Sequence, residues 1–238
     1  MPLLASAMLW ALSAPAPAQT PKPQTPPAGE YVTEKGWGTL QVTSAAGKPT
    51  TFSLASIGGN MHSCQLEGDI VDGKASLEAD EDQRCIVEFV PGADGIQVGG
   101  NDPCRYYCGA RAGFEGLYLK VPEGCGGSAQ QAARDTFKRL YDRKAYADAR
   151  AALEPVLSRC GRILGWLDEG WIRNDLALVQ HKLGDDRGCR ATLAPLAADA
   201  AKSDDDIEGA YPPSDAEAYL PIVKATRFNL RLCQAKAP

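Results

Sequence analysis

The chain has 238 residues, of which 44% are apolar and 23% are charged, and its formal net charge is −5. This length predicts one or two domains, and the composition is ordinary for a folded protein. The acidic balance lacks the basic footprint of a nucleic-acid binder, so we expect no nucleic-acid partner.

The N-terminal segment MPLLASAMLWALSAPAPA is a short apolar run that ends in small residues. It is too short to span a bilayer and has an A-x-A-like end, so residues 1–18 are predicted to be a signal peptide; the alternative is a disordered Ala/Pro tail. The segment QTPKPQTPPAG contains four prolines, which predicts an extended linker over residues 19–29. No later segment is long and apolar enough to predict a membrane span.

Residues 30–124 alternate apolar and polar side chains in short runs, which are separated by turn signals such as AAGKP, VDGK and PGADG. This period of two predicts an antiparallel meander, sandwich or small barrel. The VDGK sequence predicts a tight hairpin, because Asp-Gly tolerates the positive φ of a type I′ turn.

Residues 125–238 change to a helical period. The segment SAQQAARDTFKRLYDRKAYADARAALEPVLSRC predicts two helices joined by a short turn, and helices over 166–183 and 187–198 repeat the plan. A fifth helix is predicted over 215–234, interrupted by Pro221, after an acidic loop KSDDDIEGAYPP. The predicted fold class is α+β: a small antiparallel disulfide-stapled β domain followed by an all-α array of helical hairpins.

The segments LYDRKAYADARAALEPVL and VQHKLGDDRGCRATLAPLA resemble degenerate tetratricopeptide repeats, over about residues 129–200. In that family small residues let the second helix of each hairpin pack closely, and Ala149 and Cys189 occupy those positions. Leu153 and Leu193 are the large residues that follow. The resemblance implies a helical interaction scaffold.

Eight cysteines in an exported chain favour disulfide bonds. In antiparallel helix packing, the start of one helix lies beside the end of its neighbour, which predicts two bonds in the helical half. The four remaining cysteines lie in the β half. There we expect each cysteine to bond to the next one along the chain, and the alternative is a crossed arrangement of the two bonds. The expected pairs are Cys64–Cys85, Cys104–Cys108, Cys125–Cys160 and Cys189–Cys233.

The sequence offers little for catalysis or metal binding. There are two histidines, no G-x-S-x-G nucleophile elbow accompanies His62, and no EF-hand or phosphate-binding loop is present. Zinc ligation by His62 and the cysteines is disfavoured because export favours oxidation. We therefore expect a protein that is not an enzyme and has no metal or cofactor.

Two sets of residues are candidates for binding a protein partner. The loop NDPCRYYCGARAG presents aromatic and arginine side chains between cysteines, and the third helix carries two tryptophans and an asparagine for which core packing is the alternative. The candidates are Arg105, Tyr106, Tyr107, Arg111, Trp166, Trp171 and Asn174.

These observations predict an exported, periplasmic or secreted, non-catalytic protein–protein interaction module. The alternative is an inhibitor of a cell-wall hydrolase, since the segments HSCQLEGDI, CIVEFV and CRYYCGARAGFEGLY are similar to small cysteine-bonded periplasmic lysozyme-inhibitor domains. That resemblance implies that Arg105 or Arg111 inserts between the catalytic carboxylates of the hydrolase. Residues 30–125 hold 7 basic and 14 acidic side chains, which favours a cationic partner.

Overall fold

The structure is a computed structural model that describes residues 24–80 and 82–234. The predicted signal peptide and residues 19–23 of the predicted linker lie outside the described residues. The described chain forms eight strands and then seven α-helices, and all described strand pairs are antiparallel, so the predicted α+β class is confirmed. The strands are β1 (Gly29–Thr33), β2 (Gly38–Thr43), β3 (Thr50–Ile57), β4 (Ser63–Ile70), β5 (Lys74–Glu78), β6 (Arg84–Pro91), β7 (Gly95–Gly100) and β8 (Gly116–Lys120).

The sheet curls into a nearly closed barrel with one seam. Strand order is β4-β3-β2-β1-β8-β7-β6-β5, because the last strand returns to pair with the first. The seam lies between β4 and β5, which are joined by the predicted VDGK turn and share one isolated bridge, Val71 with Lys74. Asp72 and Gly73 have φ of 51° and 76°, so the turn has the positive φ values that the sequence predicts.

Alternate side chains from each strand fill the interior of this barrel. Phe52 and Phe89 meet edge to face with ring centroids 4.9 Å apart. The described end of the predicted linker also packs on the barrel: Pro26 is buried, and the Tyr31 hydroxyl donates to the Pro27 carbonyl at 2.9 Å. The buried interior residues are Tyr31, Leu40, Val42, Phe52, Leu54, Cys64, Leu66, Ile70, Ala75, Cys85, Val87, Phe89, Ile96, Val98, Cys104, Phe114 and Tyr118.

The helical half is α1 (Gly127–Asp142), α2 (Tyr146–Cys160), α3 (Trp166–Lys182), α4 (Asp186–Leu193), α5 (Ala197–Ala200), α6 (Asp204–Ala210) and α7 (Pro213–Gln234). The predicted helix over 187–198 is broken by a 3₁₀ turn at Pro195, which lacks the N–H that a continued α-helix needs. Conversely, α7 continues through Pro221, and the predicted interruption is wrong. Pro221 is exposed, so water can satisfy the carbonyl that its missing N–H leaves free.

Helix α6 lies in the segment predicted to be a loop. It begins at a capping box in which the Ser203 hydroxyl accepts from the Asp206 N–H (3.1 Å) and the Asp206 carboxylate accepts from the Ser203 N–H (3.2 Å). Ile207 is buried on its inner face. The acidic residues that suggested a loop therefore form the first turn of a capped helix, where negative charge is favoured.

The barrel and the helices share a hydrophobic core. Val32, Leu119 and Val121 belong to a cluster with buried residues of α1, α2 and α3, such as Phe137 and Leu153. The chain thus passes from the last strand, β8, to the first helix, α1, within a single hydrophobic cluster to which both halves contribute side chains.

Polar contacts add to this junction. The Lys35 N–H donates to the Arg162 carbonyl (2.9 Å), and the Lys35 ammonium binds the Glu169 carboxylate (3.1 Å). Farther along, the Asn60 N–H donates to the Asp215 carboxylate at 3.1 Å. The β–α arrangement is therefore held at several separate points.

All eight cysteines form disulfide bonds. The two bonds expected from helix packing, Cys125–Cys160 and Cys189–Cys233, are confirmed. The first choice for the β half, Cys64–Cys85 with Cys104–Cys108, is wrong. The loop passes between β4 and β6, so each strand cysteine bonds to a loop cysteine instead; the observed pairs are Cys64–Cys108 and Cys85–Cys104.

Candidate functional site

The cysteine loop after β7 lies across the seam of the barrel. Residues Asp102–Tyr107 form a 3₁₀ helix with Pro103 in its first turn, where the missing N–H costs nothing. This helix contacts the N-terminal ends of β6 and β4, at the opposite end of the seam from the VDGK turn. The loop therefore closes the ring where β4 and β5 do not pair.

On the β6 side, the loop supplies a substitute for a neighbouring strand. The Asn101 side-chain amide donates to the Arg84 carbonyl (3.0 Å), and its oxygen accepts from the Ile86 N–H (2.8 Å). The Cys85–Cys104 bond fixes the same contact covalently. One asparagine thus satisfies polar groups at the start of β6 that lie beyond the end of its pairing with β7.

Farther along the chain, the loop contacts β4 and β5, the two strands that flank the seam. Cys108 forms both a β-bridge and a disulfide bond with Cys64, and the Gly109 N–H donates to the Ser63 carbonyl at 2.8 Å. The Tyr107 hydroxyl donates to the Glu78 carbonyl at the end of β5. Burial is the main cause of the raised pKa of Tyr107. Tyr107, a predicted partner-binding residue, is therefore half-buried and spans the seam.

The outer surface of the loop carries the remaining three candidates. Arg105 and Arg111 are exposed, and Tyr106 is 64% exposed with its ring edge-on to Tyr107 at 5.3 Å. Neither guanidinium forms an ion pair with any residue that the structure describes. We call Arg105, Tyr106 and Arg111 the loop face.

A cavity of about 610 Å³ opens beside the loop face. Its lining includes Arg105, the carboxylates of Asp102 and Glu115, and the buried Phe114 ring. The site therefore offers one cation, two anions and an apolar floor, a combination suited to polar recognition.

Trp166, the first residue of α3, belongs to an aromatic cluster. Trp166 is 39% exposed and stacks on Tyr211 (5.6 Å, interplanar angle 7°), and its ring lies 4.8 Å from Tyr219. Both tyrosine hydroxyls donate to the Asp199 carboxylate, at 3.1 and 2.9 Å. The hydrogen bond from Lys202, followed by those from the tyrosines, lowers the pKa of Asp199. Trp166 keeps an exposed edge, but its face is used in packing.

Trp171 and Asn174 lie further inside. Trp171 is half-buried and packs against a cluster that includes Ile222. Asn174 is 3% exposed: its amide donates to the Thr226 hydroxyl (2.9 Å) and its oxygen accepts from Asn229 (3.0 Å). Asn174 is therefore a buried polar link between α3 and α7, and its assignment to a partner-binding surface is corrected.

The residue after Asn174 is one that the sequence prediction missed. Asp175 lines a second cavity, between α1 and α3, and burial raises the pKa of its carboxyl to about 6. No local pattern marks it, because Asp175 follows Arg173 and Asn174 and the three polar residues are equally compatible with a solvated helix face.

One cluster among the described residues has the composition of a metal site. The His181 Nδ1 lies 2.7 Å from the Asp186 carboxylate, close to the sulfur of Cys233. That sulfur is bonded to Cys189 and cannot act as a thiolate ligand. The remaining histidine–aspartate pair joins the end of α3 to α4.

No family model, curated protein or solved structure matches this chain. The resemblances to tetratricopeptide repeats and to lysozyme-inhibitor domains therefore stay predictions. Among the described helices, none has the length and apolar character needed to cross a membrane.

Proposed function

We propose that the protein is a non-catalytic binding protein for another protein and that it works in an oxidising compartment, periplasmic or extracellular. The observation that carries this proposal is the loop face, in which exposed Arg105, Tyr106 and Arg111 stand on a loop that disulfide bonds join to β4 and to β6. Four disulfide bonds are compatible with an exported protein.

The physical argument is preorganisation. Ordering a long side chain or a loop on binding costs free energy, and a loop whose backbone is already fixed loses less of it. Tyrosine and arginine are also the side chains that most often dominate protein interfaces, because each combines a large contact area with directional hydrogen bonds. The loop face has both properties.

Site-specific photo-crosslinking tests this proposal. A photoreactive phenylalanine replaces Tyr106 in one variant and Val90, an exposed residue on β6, in a control. Both proteins are expressed in the source cell with their disulfides formed, and adducts are identified by mass spectrometry. We expect one protein adduct at position 106 that is absent at position 90.

The captured protein is then purified and its affinity measured directly. Arg105→Ala and Tyr106→Ala are each expected to weaken binding by about tenfold or more. Equal adducts at both positions, or unchanged affinity in both alanine variants, would contradict the proposal.

A cell-wall hydrolase inhibitor is the second candidate, and one observation favours it. The Arg105 and Arg111 guanidinium groups are exposed and unpaired among the described residues, as a group that binds paired catalytic carboxylates must be. Purified lysozymes are assayed for lysis of cell walls with wild-type protein, Arg105→Gln and Arg111→Gln. Inhibition that falls in either variant supports this candidate, and undiminished lysis at micromolar wild-type protein contradicts it.

A further inference from the structure

The cavity between α1 and α3 has a volume of about 430 Å³ and includes none of the loop-face residues. Its apolar wall consists of the Phe137 and Tyr141 rings from α1 and the Leu178 side chain from α3. The two rings are stacked with centroids 5.8 Å apart. Asp175 brings a carboxyl group into this wall from α3.

The charge of Asp175 is only partly compensated by the residues described around the cavity. The side chain is half-buried and forms neither a hydrogen bond nor an ion pair with any residue in 24–80 or 82–234. Burial is the main reason that its pKa is raised, and the positive charge of Arg134 opposes the effect only in part. A carboxylate removed from water without compensation is costly, which makes this group receptive to a cation.

The other charged groups of the cavity are already engaged. The Arg134 guanidinium binds Asp168 at 2.7 Å, and the Lys138 ammonium binds Asp142 at 3.2 Å. Asp135 accepts a hydrogen bond from a glutamine one turn earlier in α1, at 2.9 Å. Because Asp135 is exposed to water, the half-buried charge of the cavity that lacks an ion pair among the described residues is that of Asp175.

The lining selects the class of cation. A calcium ion requires six to eight oxygen ligands, whereas this cavity offers one uncommitted carboxylate. An alkylammonium group needs a single counter-ion, and its methylene stem can lie against aromatic and aliphatic side chains. We propose that this cavity binds an alkylammonium group, with the Asp175 carboxylate as counter-ion and the Tyr141 ring as the apolar wall.

Two sources could supply this group: the lysine side chain of a peptide segment, or a free alkylamine. The test uses the full chain with its disulfides intact and four probes, measured by amide chemical-shift titration. The charged probes are n-butylammonium and a blocked tripeptide with a central lysine. The neutral probes are n-butanol and the same tripeptide with norleucine. We expect saturable shifts in α1 and α3 with the charged probes alone.

Matched variants identify the counter-ion. Asp175→Asn is expected to weaken binding of the charged probes by at least about tenfold. Asp69→Asn removes the same charge from an exposed position on β4 that has no ion pair among the described residues, and it should leave binding unchanged. The folded state of Asp175→Asn is checked independently by its unfolding free energy.

Every outcome of these titrations either supports or overturns the proposed site. Tighter binding of the lysine peptide than of butylammonium identifies a lysine side chain as the natural group, and equal binding identifies a free alkylamine; either supports the site. The proposal is overturned by an absence of saturable shifts, by equal binding of charged and neutral probes, or by unchanged affinity in Asp175→Asn.

Discussion

Replacing Asp175 with asparagine should stabilise the fold, and the gain should depend on pH. The folded protein raises the pKa of this carboxyl from 3.8 to about 6, chiefly through burial. The folded state therefore holds the proton more tightly than the unfolded chain does. Stability contributed by the protonated form is present below about pH 4 and is lost as the pH rises through about 6.

The magnitude follows from that difference in pKa. A difference of about two corresponds to roughly 3 kcal/mol if it is fully expressed in the free energy of unfolding. Because Asp175 is only half-buried, solvent screening lowers the expected value to ~1–2 kcal/mol. Asparagine has nearly the same shape and no charge, so Asp175→Asn should match the wild type near pH 4 and exceed it by this amount near pH 7.5.

Urea unfolding at a series of pH values measures this difference with the disulfides intact. Subtracting the wild-type free energy from that of the variant at each pH cancels most other titrating groups. Asp69→Asn, which removes the same charge from an exposed position on β4, serves as the control. A difference for Asp175→Asn that does not change with pH, or that shrinks as the pH rises, would refute the reasoning.

Three further predictions concern the stability of the fold. Replacing both Cys85 and Cys104 with serine should lower the free energy of unfolding by ~2–4 kcal/mol and speed proteolysis within the loop; equal stability would show that the bond is dispensable. Asn174→Ala should cost ~1–3 kcal/mol in urea unfolding, since it removes the side-chain hydrogen bonds that Asn174 makes with buried Thr226 and Asn229 of α7; a cost below ~0.5 kcal/mol would contradict the network. Gly36→Ala should lower the midpoint temperature of thermal unfolding, because Gly36 has φ of 68° and an added Cβ would lie 2.6 Å from the backbone nitrogen of Gly165. An unchanged midpoint would show that the backbone at this junction shifts readily to accommodate the added Cβ.

Features set by local sequence were predictable. Alternating side chains indicated the strands, and Asp-Gly indicated the turn that begins the seam. The Cys125–Cys160 and Cys189–Cys233 bonds also followed from the sequence, because antiparallel packing of helices fixes which helix ends are neighbours.

Features that depend on how distant elements meet were not predictable. Cys64 can bond to Cys108 because β8 pairs with β1, an arrangement that places the seam between β4 and β5. No local sequence pattern encodes this strand order. Helical periodicity placed Asn174 on one face of α3, but it did not say that α7 would cover that face. The same limitation hid Asp175, whose unusual environment arises from packing against α1.

The short 3₁₀ helix of the loop separates two kinds of position within four consecutive residues. With three residues per turn, Cys104 and Tyr107 fall on the same side, where one bonds to β6 and the other donates to β5. Arg105 and Tyr106 lie between them and face solvent. Those two positions can therefore be exchanged for other side chains without altering the contacts that hold the loop, which makes the barrel a scaffold on which new binding specificities can be selected from a randomised library.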